Sequence, residues 1–495
     1  MTDRRDLQIV LRSGVPIVVI QTTDEGRFLA LLVDIAVASP AAGYRPLFRW
    51  SVTDGLQRLD LDLEPQRHNS EPSEVLRHIR AVKTPALYAL LDFHPFIADP
   101  VNTRLLKDIA MAGRRSGTVV LLISHRIDLP RELEGFSARF EMRLPDADAR
   151  TALVERLVEE FRRENPGKQV AVDPKALRLL VQNLGGLSHA DIERLAGNAI
   201  RHDGAITADD LPAVMQAKYE LLNEGGALSY EYDTTSFDEV AGFRSVKVWL
   251  RQRALAFSDR RPYGLDAPKG ILLLGVQGCG KSLAAKAAAR AFAVPLLRLD
   301  FGALYDKYHG ETERNLREAL KTAEVMSPCV LWLDEIEKGL ATGDSDSGTS
   351  RRVLASLLTW MAERKSRVLL VATANDVEAL PPELIRKGRF DEIFFVDLPT
   401  PAQRAEILTI HMRKRGFAPE RFDLGPLVAA SEHFSGAEIE QGVVAALYAA
   451  HAVKQEPGLN HVLAELRNTR PLAILLRERI AALRSWAADR TVAAD

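Results

Sequence analysis

The 495-residue chain is long enough for roughly two to four domains, and its 46% hydrophobic content can furnish their cores. Its 65 Lys and Arg against 67 Asp and Glu leave a net charge of −2, which excludes a global electrostatic pull toward nucleic acid or an anionic membrane. Two cysteines cannot build a disulfide framework, no stretch approaches about 18 consecutive apolar residues, and MTDRRDLQIV lacks the apolar core of a leader, so a cytoplasmic protein with no membrane partner is expected.

In the first half, Ile17–Ile20, Ala86–Leu91 and Thr118–Ile123 are continuous apolar runs, as expected of strands buried on both faces. The first leads into Gln21-Thr22-Thr23-Asp24-Glu25-Gly26-Arg27, which has no lysine for a phosphate. Asp92 closes the second and is followed by Phe93 rather than an acid. Ser124, after the third, stands near the place that Asn375 takes in the second half. Helical sequence then begins at Leu144-Pro145, and Asn223 to Thr235, with Gly225-Gly226, reads as a linker.

The second half has its own apolar runs at Ile271–Leu274, Val294–Leu299, Val330–Leu333 and Val368–Ala372, separated by helix-compatible sequence. After the first come Gly275-Val276-Gln277-Gly278-Cys279-Gly280-Lys281-Ser282, a complete G-x-x-x-x-G-K-[ST] loop, and then the helix former run SLAAKAAARAFA. Its glycines let successive amides face a polyphosphate at a helix start. Lys281 would reach the β- and γ-phosphates, and the Ser282 hydroxyl would ligate Mg2+. Val330–Leu333 ends in Asp334-Glu335. Asp334 suits the magnesium shell and Glu335 suits the polarising of an attacking water. Asn375 is either a turn residue or a positioner of that water. Arg386 and Arg389 are either solvated charges or donors to the γ-phosphate of a neighbouring subunit. Near Thr312 a helix is expected to start. Beyond Pro399 the pattern is helical.

Segments of the two halves echo each other in order. Leu144-Pro145 to Arg150 parallels Leu398-Pro399 to Arg404, and Gly186-Leu187-Ser188 parallels His433-Phe434-Ser435. Asp92 parallels Asp334. An internal duplication is expected, against the alternative of two unrelated α/β domains.

From about Phe237 to Trp486 these motifs resemble the AAA subfamily of the AAA+ ATPases. The resemblance implies a P-loop AAA+ module of α/β class, a parallel sheet between helices with a helical lid, that binds and hydrolyses ATP. It implies that Phe237 to Gly242, with Ala241 and Gly242, packs on adenine and that Gly436 and Ala437 bring the lid to the nucleotide. It makes Asn375 the first sensor, Arg386 and Arg389 trans-acting arginines, and Tyr308 a pore-loop residue, although a lone tyrosine can equally pack on its own domain. The loop departs from the subfamily's GPPGTGKT at Val276, Gln277, Cys279 and Ser282, and Asp376 replaces a basic residue, yet no phosphate or magnesium ligand is removed. The loop variant, Leu91-Asp92-Phe93-His94-Pro95, and Gly348 to Arg352 are similar to the AAA proteins named for hypothetical chloroplast reading frame forty-six. That likeness implies a degenerate AAA-like α/β module at 1–222, a linker at 223–235, the ATPase core at 236–400, and a lid with a C-terminal helix at 401–495. The expected function is a self-assembling ring, a hexamer, that remodels a protein partner. A slow nucleotide-dependent switch or scaffold is the alternative, and neutral composition does not point to nucleic acid.

Overall fold

The structure, a computed structural model, describes residues 2–495 apart from 23, 38–44, 62–63, 65–68, 167–170, 208, 223–225, 233, 258–263, 306–311, 341–346 and 387. It divides into two compact units, residues 1–153 with 187–194, and residues 154–186 with 195–495.

In the first unit β1 (Ile17–Gln21), β2 (Leu47–Ser51), β3 (Gly55–Arg58), β4 (Leu87–Leu91), β5 (Val119–Ser124) and β6 (Ser137–Phe140) form one sheet in the order β3-β2-β4-β5-β1-β6. Neighbours are parallel except in the β2–β3 hairpin. Side chains alternate between the two faces of a strand. Ile17 and Val19 therefore enter one core, while Val18 and Ile20 enter the other. Both faces are covered by helices, so β4 and β5 are buried throughout.

The second unit has a small pair, β7 (Ala171–Val172) and β8 (Ala205–Ile206), and a larger sheet. The larger sheet comprises β9 (Leu228–Tyr230), β10 (Gly270–Gly275), β11 (Leu296–Leu299), β12 (Cys329–Leu333), β13 (Val368–Ala374), β14 (Glu392–Val396) and β15 (Val492–Ala493), in the order β15-β14-β10-β13-β12-β11-β9. Ile271 and Leu273 enter one core and Leu272 and Leu274 the other. A separate helical cluster around Leu408, Ile439 and Val462 forms the lid. Among the described residues no helix is long and apolar enough to cross a membrane.

The fold is thus α/β, with two mainly parallel sheets between helices. Five parallel strands follow one connectivity in both, β6-β1-β5-β4-β2 in the first and β14-β10-β13-β12-β11 in the second. The echoes in sequence recur as contacts. Arg150 Nη1 donates to the Pro145 carbonyl at 2.8 Å and Arg404 Nη1 to the Pro399 carbonyl at 3.1 Å. Gly186 and His433 are both left-handed, at φ 80° and 68°. Ser188 and Ser435 each cap the helix that follows, accepting from the amides of Asp191 and Glu438.

Two expectations are corrected. Ser124 corresponds to Thr373, not to Asn375, because Leu91 pairs with Ile123 as Leu333 pairs with Ala372. The segment expected as a linker contributes β9, which pairs antiparallel with β11. The expected C-terminal helix is Arg477–Ala487, and after it the chain adds β15 alongside β14. Residues 154–186 and 195–222 pack within the second unit. The cause is burial. Met215 and Tyr219 share a core with Leu272 and Leu331, and Tyr219 donates its hydroxyl hydrogen to the Leu228 carbonyl. Fully buried Lys218 donates to the carbonyls of Asn183 at 2.9 Å, Gly185 at 2.6 Å and Val325 at 2.9 Å. An ammonium in an apolar interior persists only when its donors are satisfied.

Lys218→Met keeps the apolar stem but leaves three carbonyls without their donor. It is expected to lower unfolding stability by about 3 kcal/mol, read from urea denaturation of the full chain. A loss under about 0.5 kcal/mol, the range of an ordinary surface substitution, would show that the contact is dispensable.

Candidate functional site

β10 delivers the phosphate-loop segment to the C-terminal edge of the sheet, the edge where open α/β sheets place their ligands. Two glycines there have no substitute. A Cβ on Gly275 would lie 1.9 Å from the Val396 carbonyl oxygen, and Gly278, at φ 75°, lies close under Ser435. The helix Lys281–Phe292 then starts without a side-chain cap, so its first amides remain turned to the loop.

Lys281 is buried and donates to the Gly275 and Val276 carbonyls at 2.8 and 2.7 Å. Desolvation, opposed by Glu337, Asp334 and Glu335 nearby, lowers its pKa to about 8. Burial raises the Cys279 thiol to about 12, which keeps it in the protonated form at neutral pH.

The register of β12 against β13 assembles the acidic side of the site. Asp334 Oδ1 accepts from Thr373 Oγ1 at 2.7 Å and from Ser282 Oγ at 3.2 Å. The Glu335 amide donates to Thr373 Oγ1 at 2.9 Å, which holds Glu335 in a left-handed conformation at φ 47°. A non-glycine residue held there costs free energy and marks a position fixed by its surroundings. Asn375 Nδ2 donates to Glu335 Oε1 at 2.9 Å, and Lys338 pairs with Glu335 Oε2 at 2.5 Å. Glu337 is buried behind them, its pKa raised chiefly by desolvation, and accepts from the Asn375 amide at 2.9 Å.

A cavity of about 540 Å³ runs from this acidic cluster to an apolar end. Gln277 to Ser282, Asp334, Glu335 and Asn375 line one part; Ala241, Phe243, Ile407 and Ile410 line the other. The lid meets the loop directly, because Ser435 caps the helix Gly436–Ala452 and the Ala437 amide donates to the Gly278 carbonyl at 2.9 Å. Gly436 and Ala437 also line the cavity. Gly242 does not; its amide donates to Glu406 Oε2 at 3.1 Å and so anchors the Ala241 segment to the lid. Ser282 and Asp334 present a hydroxyl and a carboxylate side by side, a donor set that fits an oxygen-seeking Mg2+. Arg386 and Arg389 do not line the cavity. Arg386 is exposed, and Arg389 Nη1 donates to the Leu358 carbonyl at 2.7 Å. Tyr308 lies outside the described residues.

Sequence reasoning missed Thr373, Glu337 and the C-terminal Ala493-Ala494-Asp495, which also line or brace this cavity. Thr373 offered a signal, a hydroxyl on an otherwise apolar strand. The C-terminal residues offered none, since only strand pairing brings them here.

Comparison with known proteins agrees with this geometry. Residues 271–398 match the model of the ATPase family associated with various cellular activities (AAA). Residues 3–142 and 148–225 match the N-terminal and second domains of SpoVK-like AAA ATPases. The chain is 34% identical over 491 residues to the AAA domain-containing protein ycf46 of Trieres chinensis, covering 98% of this chain and 96% of that one. It is 33% identical to ycf46 of Pyropia yezoensis, covering 99% and 98%. A proteasome-activating nucleotidase of Aeropyrum pernix is 30% identical over 360 residues, covering 70% of this chain and 82% of that one.

The lowered pKa of Lys281 has a consequence with a definite sign. A polyanion favours the charged ammonium, so triphosphate binding must take up a proton wherever the free protein has lost it. Affinity is expected to be level below pH 7 and to fall about tenfold between pH 7 and 9, with proton uptake at pH 9. Calorimetry in buffers of different ionisation heat measures both; a flat profile with no uptake would show that Lys281 keeps its proton. In the free protein the same shift makes stability rise with pH between about 8 and the ordinary 10.5, because there the unfolded chain binds the extra proton.

Proposed function

The chain belongs to the AAA ATPase family, among the ycf46-type proteins, and from that premise we propose that it binds ATP with Mg2+, hydrolyses it to ADP and phosphate, and couples turnover to remodelling a protein partner in the cytoplasm. The observation that carries the reading is the hydrogen-bonded run Ser282–Asp334–Thr373–Glu335–Asn375, which holds a cation-binding pair and a water-polarising pair side by side.

On ATP binding, Lys281 exchanges two backbone carbonyls for phosphate oxygens, and the loop amides supply further donors. Ser282 and Asp334 would hold Mg2+, which would supply charge neutralisation at the phosphate oxygens. Glu335 polarises the attacking water, with Asn375 fixing one carboxylate oxygen. Ala241 and the apolar lid residues take the base. The lid helix that caps on Ser435 senses whether the loop is occupied, through the Ala437–Gly278 contact.

The likeness to a proteasome-activating nucleotidase supports a homo-oligomeric ring, a hexamer, with a protein as the object of the work. Arg386 and Arg389, remote from their own cavity, then act on the γ-phosphate of a neighbour. Arg386 is the freer of the two, its side chain exposed and without a partner among the described residues. Tyr308 grips the extended partner in the channel. A second reading, a slow switch, draws support from Lys338, whose ammonium occupies the Glu335 oxygen that Asn375 leaves open.

Glu335→Gln is expected to retain ATP affinity within about threefold and to lose at least 100-fold in turnover, since an amide cannot take part in general-base catalysis. Equal steady-state hydrolysis in the variant would remove Glu335 from the chemistry. Specific activity should also rise with protein concentration as rings form. Mixing Arg386→Ala with Glu335→Gln chains should restore sites that neither variant has alone. Full activity at every dilution, with no gain on mixing, would place the whole site within one chain.

A further inference from the structure

We propose that the first unit carries a binding site for a divalent transition-metal ion, formed by Asp92, His94 and His125. One ligand atom from each lies within 4.8 Å of the others. The three sit at the ends of adjacent strands. Asp92 follows β4, His94 opens the turn His94–Phe96, and His125 follows β5. β4 and β5 are buried at every residue, so the backbone beneath the cluster is fixed before any ion arrives. Asp92 itself is held left-handed, at φ 48°.

The Ser124 hydroxyl binds the three together. Its oxygen lies 2.7 Å from Asp92 Oδ1, 2.8 Å from His94 Nδ1 and 3.3 Å from His125 Nδ1. The two imidazoles stand at 88° with centroids 4.9 Å apart. A shared outer contact that orients imidazole and carboxylate is the usual support of a metal centre. Two imidazoles and one carboxylate suit Zn2+, Co2+ or Fe2+ rather than Mg2+, which prefers oxygen and keeps its water. Asp92 and His125 are exposed, which leaves coordination positions open to water or a small ligand.

The corresponding place in the second unit explains why a cation belongs here. Ser124 bonds Asp92 at the distance at which Thr373 bonds Asp334, so Asp92 occupies the position of the magnesium-binding carboxylate. In the second unit the remaining ligands would be the Ser282 hydroxyl and phosphate. In the first unit the helix after β1 begins with Glu25, where its counterpart begins with Lys281. A carboxylate there repels phosphate and attracts a cation. The imidazoles supply the ligands that a nucleotide would otherwise bring. This site does not depend on the ATPase assignment.

The test uses the full chain, stripped with a chelator and free of nucleotide and Mg2+, titrated with Co2+ by visible absorption and with Zn2+ by calorimetry. The expected result is one equivalent bound, with a d–d band and no thiolate charge-transfer band. His94→Ala, His125→Ala and Asp92→Ala should each weaken binding at least tenfold, and Ser124→Ala about tenfold through orientation alone. Lys281→Ala and Asp334→Asn should leave it unchanged. His125 is exposed, so His125→Ala keeps the fold and decides the question even where another variant unfolds. No uptake, undiminished uptake in His125→Ala, loss in Asp334→Asn, or a thiolate band would each overturn the proposal.

Discussion

A hydroxyl on one central strand, bonded to a carboxylate at the end of the next, organises each sheet of this protein. The bond forms only if the two parallel strands keep one register, and a parallel register buried on both faces cannot slip without exposing every apolar side chain. In the second unit that register brings Asp334, Glu335, Thr373 and Asn375 to one edge, opposite the loop that ends in Lys281 and Ser282. Thr373 then does two things with one oxygen, donating to Asp334 and accepting from the Glu335 amide. The left-handed turn at Glu335 follows from that second bond.

Two buried lysines show how the same group serves structure and chemistry. Lys218 donates to three backbone carbonyls that cannot leave, two beside the helix Pro174–Asn183 and one at Val325. It locks the helices after residue 174 to the ATPase sheet. Lys281 donates to two carbonyls of a loop that can reshape, and desolvation brings its pKa near 8. Satisfied locally but held at a cost in solvation, it has more to gain from phosphate oxygens than a solvated lysine would.

The duplicated halves separate what a fold needs from what a reaction needs. Strand connectivity, the Arg–Pro carbonyl bond, the serine cap and the hydroxyl–carboxylate bond recur in both. Each is a buried or local contact whose loss would cost the fold. The loop after the first strand does not recur: the helix that follows begins with Glu25 in the first unit and with Lys281 in the second, as loop residues at a sheet edge vary more freely than the strands they join. At the ends of β4 and β5 the first unit carries instead a carboxylate and two imidazoles, Asp92, His94 and His125.

The phosphate loop and the acidic pair were legible in the sequence because each is contiguous, and chemistry carried by neighbouring residues needs no fold to be recognised. The central strands were legible because burial on both faces leaves unbroken apolar runs. Outlying strands such as Glu392–Val396, second from one edge, and Leu228–Tyr230, at the other, mix polar and apolar residues or are very short, so no such run marks them. Their existence is decided by partners far away in the chain. The same is true of Thr373 as a bridge, of the C-terminal strand at the cavity, and of the allegiance of residues 195–222, which depends on where Met215, Lys218 and Tyr219 find cover. The sequence by itself determined the central strands, the phosphate-loop motif Gly275–Ser282 and the acidic pair Asp334-Glu335. Tertiary structure alone decided which hydroxyl aligns them, which helices share their core, and that Asp92 meets His94 and His125, because hydrogen bonds and burial between distant segments exist only once strands have chosen their neighbours.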